Sequence, residues 1–97
     1  MRIIAKRTLR VFWERHSRAK GPLEAWHQEV ARAEWAQPSA VKAQFSSASL
    51  LPDNRVVFNI GGNKYRLVVK INYPFRIVYV RFAGSHREYD QIDVTSV

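Results

Sequence analysis

His86 and Tyr89 stand three residues apart near the C-terminus. On a helical turn, side chains at i and i+3 meet on one face. Both groups exchange protons readily. Cleavage of an RNA chain needs one proton taken from a ribose 2′-hydroxyl and one delivered to the leaving 5′-oxygen. The plain alternative is a pair of polar side chains on a solvated turn.

A second set of chemistry-bearing residues lies in Lys64-Tyr65-Arg66-Leu67-Val68-Val69-Lys70. Side chains alternate along a strand. Lys64, Arg66, Val68 and Lys70 therefore share one face, and Tyr65, Leu67, Val69 and Ile71 share the other. Helices need an apolar surface to cover, which the second set supplies, so the three cations line the uncovered side. Arg66 sits mid-strand, and a guanidinium suits bidentate contact with phosphate. An ordinary solvated face explains the same stripe. Arg81 on the next strand either joins it or turns towards the core; alternation leaves both open. Tyr65, Tyr73, Phe75 and Tyr79 are able to stack bases. Tyr65 is core by its face, whereas Tyr73-Pro74-Phe75 reads as a turn that presents its aromatics to a partner.

Other motifs point away from chemistry. Gly61-Gly62-Asn63-Lys64 lacks the length and the Ser or Thr of a phosphate loop and reads as a hairpin turn. His16 and His27 fall on or beside apolar helical stripes, as packing or boundary residues do. Neither has a His-x-x-x-His partner or a carboxylate pair, and the chain has no cysteine. No metal site, disulfide or cofactor is expected.

The chain's 97 residues suit one domain over 1–97 rather than two. With 46% hydrophobic and 12% aromatic residues it has enough to pack a core, which excludes general disorder. Sixteen Lys and Arg against eight Asp and Glu leave +8, which calls for an anionic partner: nucleic acid, membrane or acidic protein. No apolar run approaches the roughly 18 residues of a membrane span. The apolar part of Met1-Arg2-Ile3-Ile4-Ala5-Lys6 is too short for a signal peptide. A cytoplasmic, nucleic-acid-directed protein is the expectation.

The elements that must position these residues follow from periodicity. Met1 to Ala5 suits a short strand. Leu9, Phe12, Trp13 and His16 mark one face of a helix capped by Thr8. Lys20-Gly21-Pro22 is expected to break the chain, Gly21 taking a left-handed helix end and Pro22 the first turn of the next helix. Leu23, Trp26, His27, Val30 and Ala33 then mark a second helix, antiparallel to the first. Residues 37–54 read as loop and turn, with Val41 and Phe45 anchoring a short helical turn. Three strands follow: residues 56–60, 64–73 and 76–82, the first two joined by Gly61-Gly62-Asn63. Residues 85–92 hold a helical turn. The whole predicts an α+β fold, two helices on one face of a small antiparallel sheet and a basic groove on the other.

The run Val57-Phe58-Asn59-Ile60-Gly61-Gly62-Asn63-Lys64-Tyr65-Arg66-Leu67, with Val80-Arg81-Phe82-Ala83-Gly84-Ser85-His86-Arg87-Glu88-Tyr89-Asp90, resembles the HigB family of toxins. In that family the last motif usually reads Thr-His-x-Glu-Tyr-Asp; Ser85 stands for the Thr and keeps the hydroxyl. Leu9-Arg10-Val11-Phe12-Trp13 and the segment from Trp35 to Lys42 also fit, so the resemblance covers nearly the whole chain. It implies a RelE-like βααβββ arrangement. It further implies a toxin that enters the ribosomal A site and cuts translated mRNA. A HigA antitoxin with a helix-turn-helix domain would neutralise it, and operator DNA would be met only through that antitoxin.

Site residues are implied position by position. Tyr65-Arg66-Leu67 resembles the Tyr-Arg-Leu of RelE toxins, whose Arg contacts the scissile phosphate, and this implies that role for Arg66. The basic position on the preceding RelE strand falls near Asn59. His86 falls near a catalytic Arg of RelE, and Tyr89 resembles the Tyr near the end of these toxins. Arg66, His86 and Tyr89 are thus the expected catalytic residues, with Lys64, Lys70, Arg81, Asn59 and Arg87 binding RNA, in a metal-independent reaction. A non-catalytic RNA- or ribosome-binding module explains charge, stripe and aromatics equally well. A DNA-binding repressor would need a recognition helix, and basic residues concentrated on strands argue against it.

Overall fold

The apolar stripe of the first helix decides where the layers meet. The computed structural model describes the whole chain, Met1–Val97. After strand β1 (Arg2–Ile4), helix α1 (Lys6–Arg15) buries Leu9, Phe12 and Trp13 on one side. It starts earlier than its apolar spacing predicts: Ala5, not Thr8, is the N-cap, and no side chain caps it. Lys6 and Arg7 occupy its first turn with no acid there, an arrangement the helix dipole disfavours.

The break between helices falls at His16, not at Gly21. A 3₁₀ turn, Ser17–Ala19, leads directly into α2 (Lys20–Ala31). Gly21 and Pro22 lie inside the first turn of α2, where no backbone N–H is needed for the helix ladder. Gly21 does not adopt a left-handed φ. α2 buries Leu23, Trp26 and Val30. His27 sits at its edge, where burial and the nearby Lys6 charge push its pKa below the usual histidine value.

Residues 37–54, expected to be mostly loop, contain α3 (Pro38–Gln44), which buries Val41, and edge strand β2 (Ser49–Leu51). Both are too short to show a period. The sheet is completed by β3 (Arg55–Ile60), β4 (Tyr65–Asn72) and β5 (Ile77–Ser85), followed by α4 (His86–Tyr89). Strand order is β1-β5-β4-β3-β2, with β1 parallel to β5 and every other pair antiparallel. The α+β class stands, and the sheet is mixed because the first strand returns beside the last.

Alternation sorts the core face correctly. Val56, Phe58 and Ile60 of β3 and Leu67, Val69 and Ile71 of β4 join the buried helix residues in one cluster. Phe58 is its centre, with the rings of Trp26 and Phe45 at 5.4 and 5.1 Å. Each such side chain contributes about 1.5–3 kcal/mol by leaving water.

The opposite face is not the continuous open groove that the pattern predicts. Val57 and Val68 lie on it and are buried. Arg55 is buried there too, donating from Nη1 to Asp53 at 2.8 Å and from Nη2 to the Val97 carbonyl at 3.2 Å. The C-terminal tail therefore returns to this face and interrupts the stripe. Arg81 is exposed and is the extra residue of a β-bulge, since Val68 pairs with Phe82 and Val69 with Val80. A bulge suspends alternation, which is why the face of Arg81 was not legible.

Candidate active site

The ladder register assembles the site. Arg66 on β4 stands between Asn59 on β3 and Gly84 on β5, on the face away from the helices. Its Nη1 donates to the carbonyls of Asn63 at 3.1 Å and Tyr65 at 3.3 Å, which draws the guanidinium to the β3–β4 turn. That turn needs its glycines: Gly61 and Gly62 have φ of 62° and 69°, a region that costs any other residue strain. Lys64 belongs to the turn, not to the strand as expected, so its side chain does not extend a stripe with Arg66 and Lys70.

Gly84 is the close-approach glycine. A Cβ there would meet the Phe82 ring at 2.5 and 2.8 Å and the Glu88 Cβ at 3.2 Å. The bare backbone lets Phe82 fold over β5 and lets α4 pack down beside Arg66.

α4 is held from three directions. Ser85 Oγ accepts from the Glu88 amide at 3.1 Å, and Glu88 Oε1 accepts from the Ser85 amide at 2.9 Å, a complete capping box. The His86 amide donates to the Lys64 carbonyl at 3.0 Å, tying the first residue of α4 to the β3–β4 turn. On the other flank, His16 Nε2 lies 4.0 Å from Glu88 Oε1. The backbone hydrogen bond from Ser85, ahead of the opposing effect of burial, holds the Glu88 carboxyl below the usual carboxylate range. The Ser-x-x-Glu of the motif is therefore structural, and a capping-box reading of the sequence would have found it.

His86 itself is exposed, and its Nδ1 lies 3.3 Å from Asp90 Oδ2. The carboxylate stands at ion-pair distance from the ring, one helical turn on. Asp90 was passed over in the sequence, although i,i+4 spacing to His86 signals the contact. Tyr89, half-buried, lies on the same short helix, and Arg87 is exposed beside it.

The structure thus brings Arg66, His86, Tyr89, Lys64, Asn59 and Arg87 to one end of the sheet. Lys70 is elsewhere. It lies four residues along β4, about 13 Å away at strand rise, and its ammonium donates to Asp53 at 2.9 Å. Lys70 and Arg55 together hold the Asp53 carboxyl below its ordinary pKa. Tyr79 stands opposite Lys70, beside a cavity of about 280 Å³ that Tyr73 and Asn54 also line. Tyr73 is not presented to a partner as expected. It is buried, its hydroxyl has no hydrogen-bond partner, and burial pushes its pKa up. Of that turn's aromatics only Phe75 is exposed.

Helices on one face of a sheet, and a fixed guanidinium beside an imidazole–carboxylate pair, define a small basic α+β protein with a corner suited to a phosphate chain. Residues 19–92 match the HigB toxin family, described as the RelE-like toxic component of a toxin–antitoxin system, and the chain belongs to that family. It is 30% identical over 92 residues to the mRNA interferase toxin HigB of Escherichia coli (strain K12), covering 93% of this chain and 88% of that protein. The proteins named mRNA interferase HigB from Escherichia coli O157:H7 and Shigella flexneri match to the same extent.

Proposed function

We propose that this chain is an mRNA interferase, a single-domain endoribonuclease that arrests translation by cutting mRNA. The observation that carries the reading is the β4–β5 register: Arg66 faces Gly84, two residues before His86, whose amide is bonded to the turn beside Arg66. One fixed cation and one proton-transfer group thereby reach the same stretch of backbone.

The reaction is an in-line attack. The ribose 2′-oxygen loses its proton, bonds to the adjacent phosphorus and displaces the 5′-oxygen, which takes a proton. The products are a 2′,3′-cyclic phosphate and a 5′-hydroxyl. His86 and Tyr89 handle the two proton transfers, with Asp90 holding the imidazole. Arg66 stabilises the charge that builds on the phosphoryl oxygens, and Lys64, Asn59 and Arg87 hold the flanking RNA. No metal takes part.

The reading extends to partners. The toxin acts in the ribosomal A site on mRNA under translation, in the cytoplasm, and a HigA-type helix-turn-helix antitoxin neutralises it and carries any contact with operator DNA. Family membership and the charge of +8 support this, and no helix is long and apolar enough to cross a membrane. Mapping mRNA 5′ ends after brief induction tests it. New 5′-hydroxyl ends inside translated frames are expected, whereas arrest without new ends would make the protein a non-catalytic binder.

A further inference from the structure

The charge of this protein is not spread evenly. Residues 1–20 hold five arginines (Arg2, Arg7, Arg10, Arg15 and Arg18) and two lysines (Lys6 and Lys20) against one acid, Glu14. Six of the eight net positive charges thus fall in the first fifth of the chain, and four of its seven cations (Lys6, Arg7, Arg10 and Arg15) stand on α1. The strands keep Arg55, Arg66, Lys70 and Arg81, so a basic helix stands beside the basic sheet that the sequence predicts. All seven cations are exposed, and none forms an ion pair.

Leu9, Phe12 and Trp13 turn the inner side of α1 to the core. At 3.6 residues per turn, Arg7, Arg10 and Arg15 then stand on the outward half, and Arg18 follows in the 3₁₀ turn. Their repulsion, together with Lys6 and Arg7 at the positive end of the helix dipole, is opposed within the chain only by Glu14 and, beyond the helix end, by Glu88, and no cation of the set forms an ion pair. An anion from outside relieves it.

The chemistry of the face selects among anions. Its one exposed large apolar side chain is Val11, and its aromatics are buried. A protein partner is held chiefly by aromatic and apolar anchors in desolvated pockets. Single-stranded RNA is held by rings on which its bases stack. Neither is offered here. Double-helical RNA is recognised through its shape and backbone and needs only spaced cations. Arginine, which outnumbers lysine here, is the better phosphate ligand.

We propose that the outward face of α1 docks the backbone of double-helical RNA, separately from the Arg66–His86 corner. This rests on the nuclease reading, which supplies RNA as the partner. The two surfaces are continuous. The C-terminal end of α1 meets α4 where His16 lies 4.0 Å from Glu88, and the Arg15 charge is felt at the same carboxylate. A structured RNA gripped by α1 would therefore present an adjoining single strand to the corner.

The test compares the wild type with the triple variant Arg7→Gln, Arg10→Gln, Arg18→Gln. The probes are an uncleavable 2′-O-methyl RNA hairpin and an unpaired 2′-O-methyl oligonucleotide of equal length, titrated between about 50 and 200 mM salt. Each lost phosphate contact lowers the slope of log affinity against log salt by about 0.7–0.9. The variant should lose about two units of slope and about tenfold or more in hairpin affinity, and less for the unpaired strand. Its melting temperature should hold or rise, because repulsion has been removed. Unchanged hairpin affinity and slope overturn the proposal. So does an equal loss for the unpaired strand, or lost binding of the cognate antitoxin with hairpin binding intact. The nuclease reading is judged apart: His86→Ala should bind the hairpin normally yet make no mRNA cuts, and a wild type that makes no cuts sinks that reading whatever the hairpin shows.

Discussion

Nδ1 of His86 lies 3.3 Å from Oδ2 of Asp90, one helical turn on. The contact sets a carboxylate beside an exposed imidazole, and it joins His86 to the last residue of the Ser85-to-Asp90 motif. If His86 moves a proton in the reaction, its loss should cost about 10²–10⁴-fold in the cleavage rate. Asp90→Asn should cost a smaller factor, because the imidazole remains but loses its holder. The double variant His86→Ala, Tyr89→Phe should abolish growth arrest while circular dichroism and melting stay near wild type. Full toxicity in that double variant would remove both residues from the mechanism.

Arg66 should be irreplaceable by lysine. A lysine supplies charge but not a planar fork: with Nη1 on the Asn63 and Tyr65 carbonyls, the other guanidinium nitrogens still offer donors to a phosphate. Removal of one donor aimed at a developing oxyanion typically costs about 10²–10³-fold in kcat. Arg66→Ala is expected in that range, with Arg66→Lys recovering only part. Lys70→Ala is the comparison, since Lys70 is bound to Asp53 at the far end of β4. Single-turnover cleavage by Lys70→Ala should stay within a few-fold of wild type.

The capping box predicts a stability order. Ser85→Ala should cost about 1 kcal/mol in urea unfolding and Ser85→Thr much less, because Thr also caps. The pH dependence follows from Glu88. Its folded pKa lies below its unfolded one, chiefly through the Ser85 amide. Its stabilising contribution is therefore complete above the ordinary Glu value of about 4.3 and is lost as pH falls through the folded pKa. Glu88→Gln accepts the same bond without a charge to lose. Wild-type melting temperature should fall more steeply than that of Glu88→Gln on acidification through this range; parallel curves would disprove the assignment.

Gly84 and Phe82 should behave as a coupled pair. Gly84→Ala puts a methyl against the Phe82 ring and the Glu88 Cβ, and overpacking of this kind costs about 1–3 kcal/mol. Phe82→Leu in the same chain should recover much of the loss. A double-mutant cycle reads the coupling directly, and additive effects would mean that the ring and the methyl never meet.

Two local rules carried most of the fold. Spacing at 3.6 residues identified Leu9, Phe12 and Trp13 and then Leu23, Trp26 and Val30 as core, and alternation did the same for Leu67, Val69 and Ile71. Both work because a side chain's direction is set by its own stretch of backbone. The failures are of two kinds. The return of the tail to Arg55 depends on a partner 42 residues away, whereas the helix break at His16 and the β2–β3 hairpin are local but too short to show a period.

The same division runs through the site. The residue types are local, and the sequence by itself determined a helical turn carrying His86 and Tyr89, while the Ser85–Glu88 cap and the i,i+4 acid Asp90 were local signals passed over. Only the tertiary structure decided that Arg66 faces Gly84, that Lys64 closes on His86 and that Lys70 falls away to Asp53. Those relationships are fixed by strand register, and the bulge at Arg81 shifts that register by one residue. Such a shift is an outcome of packing between strands, and no single strand's own pattern records it.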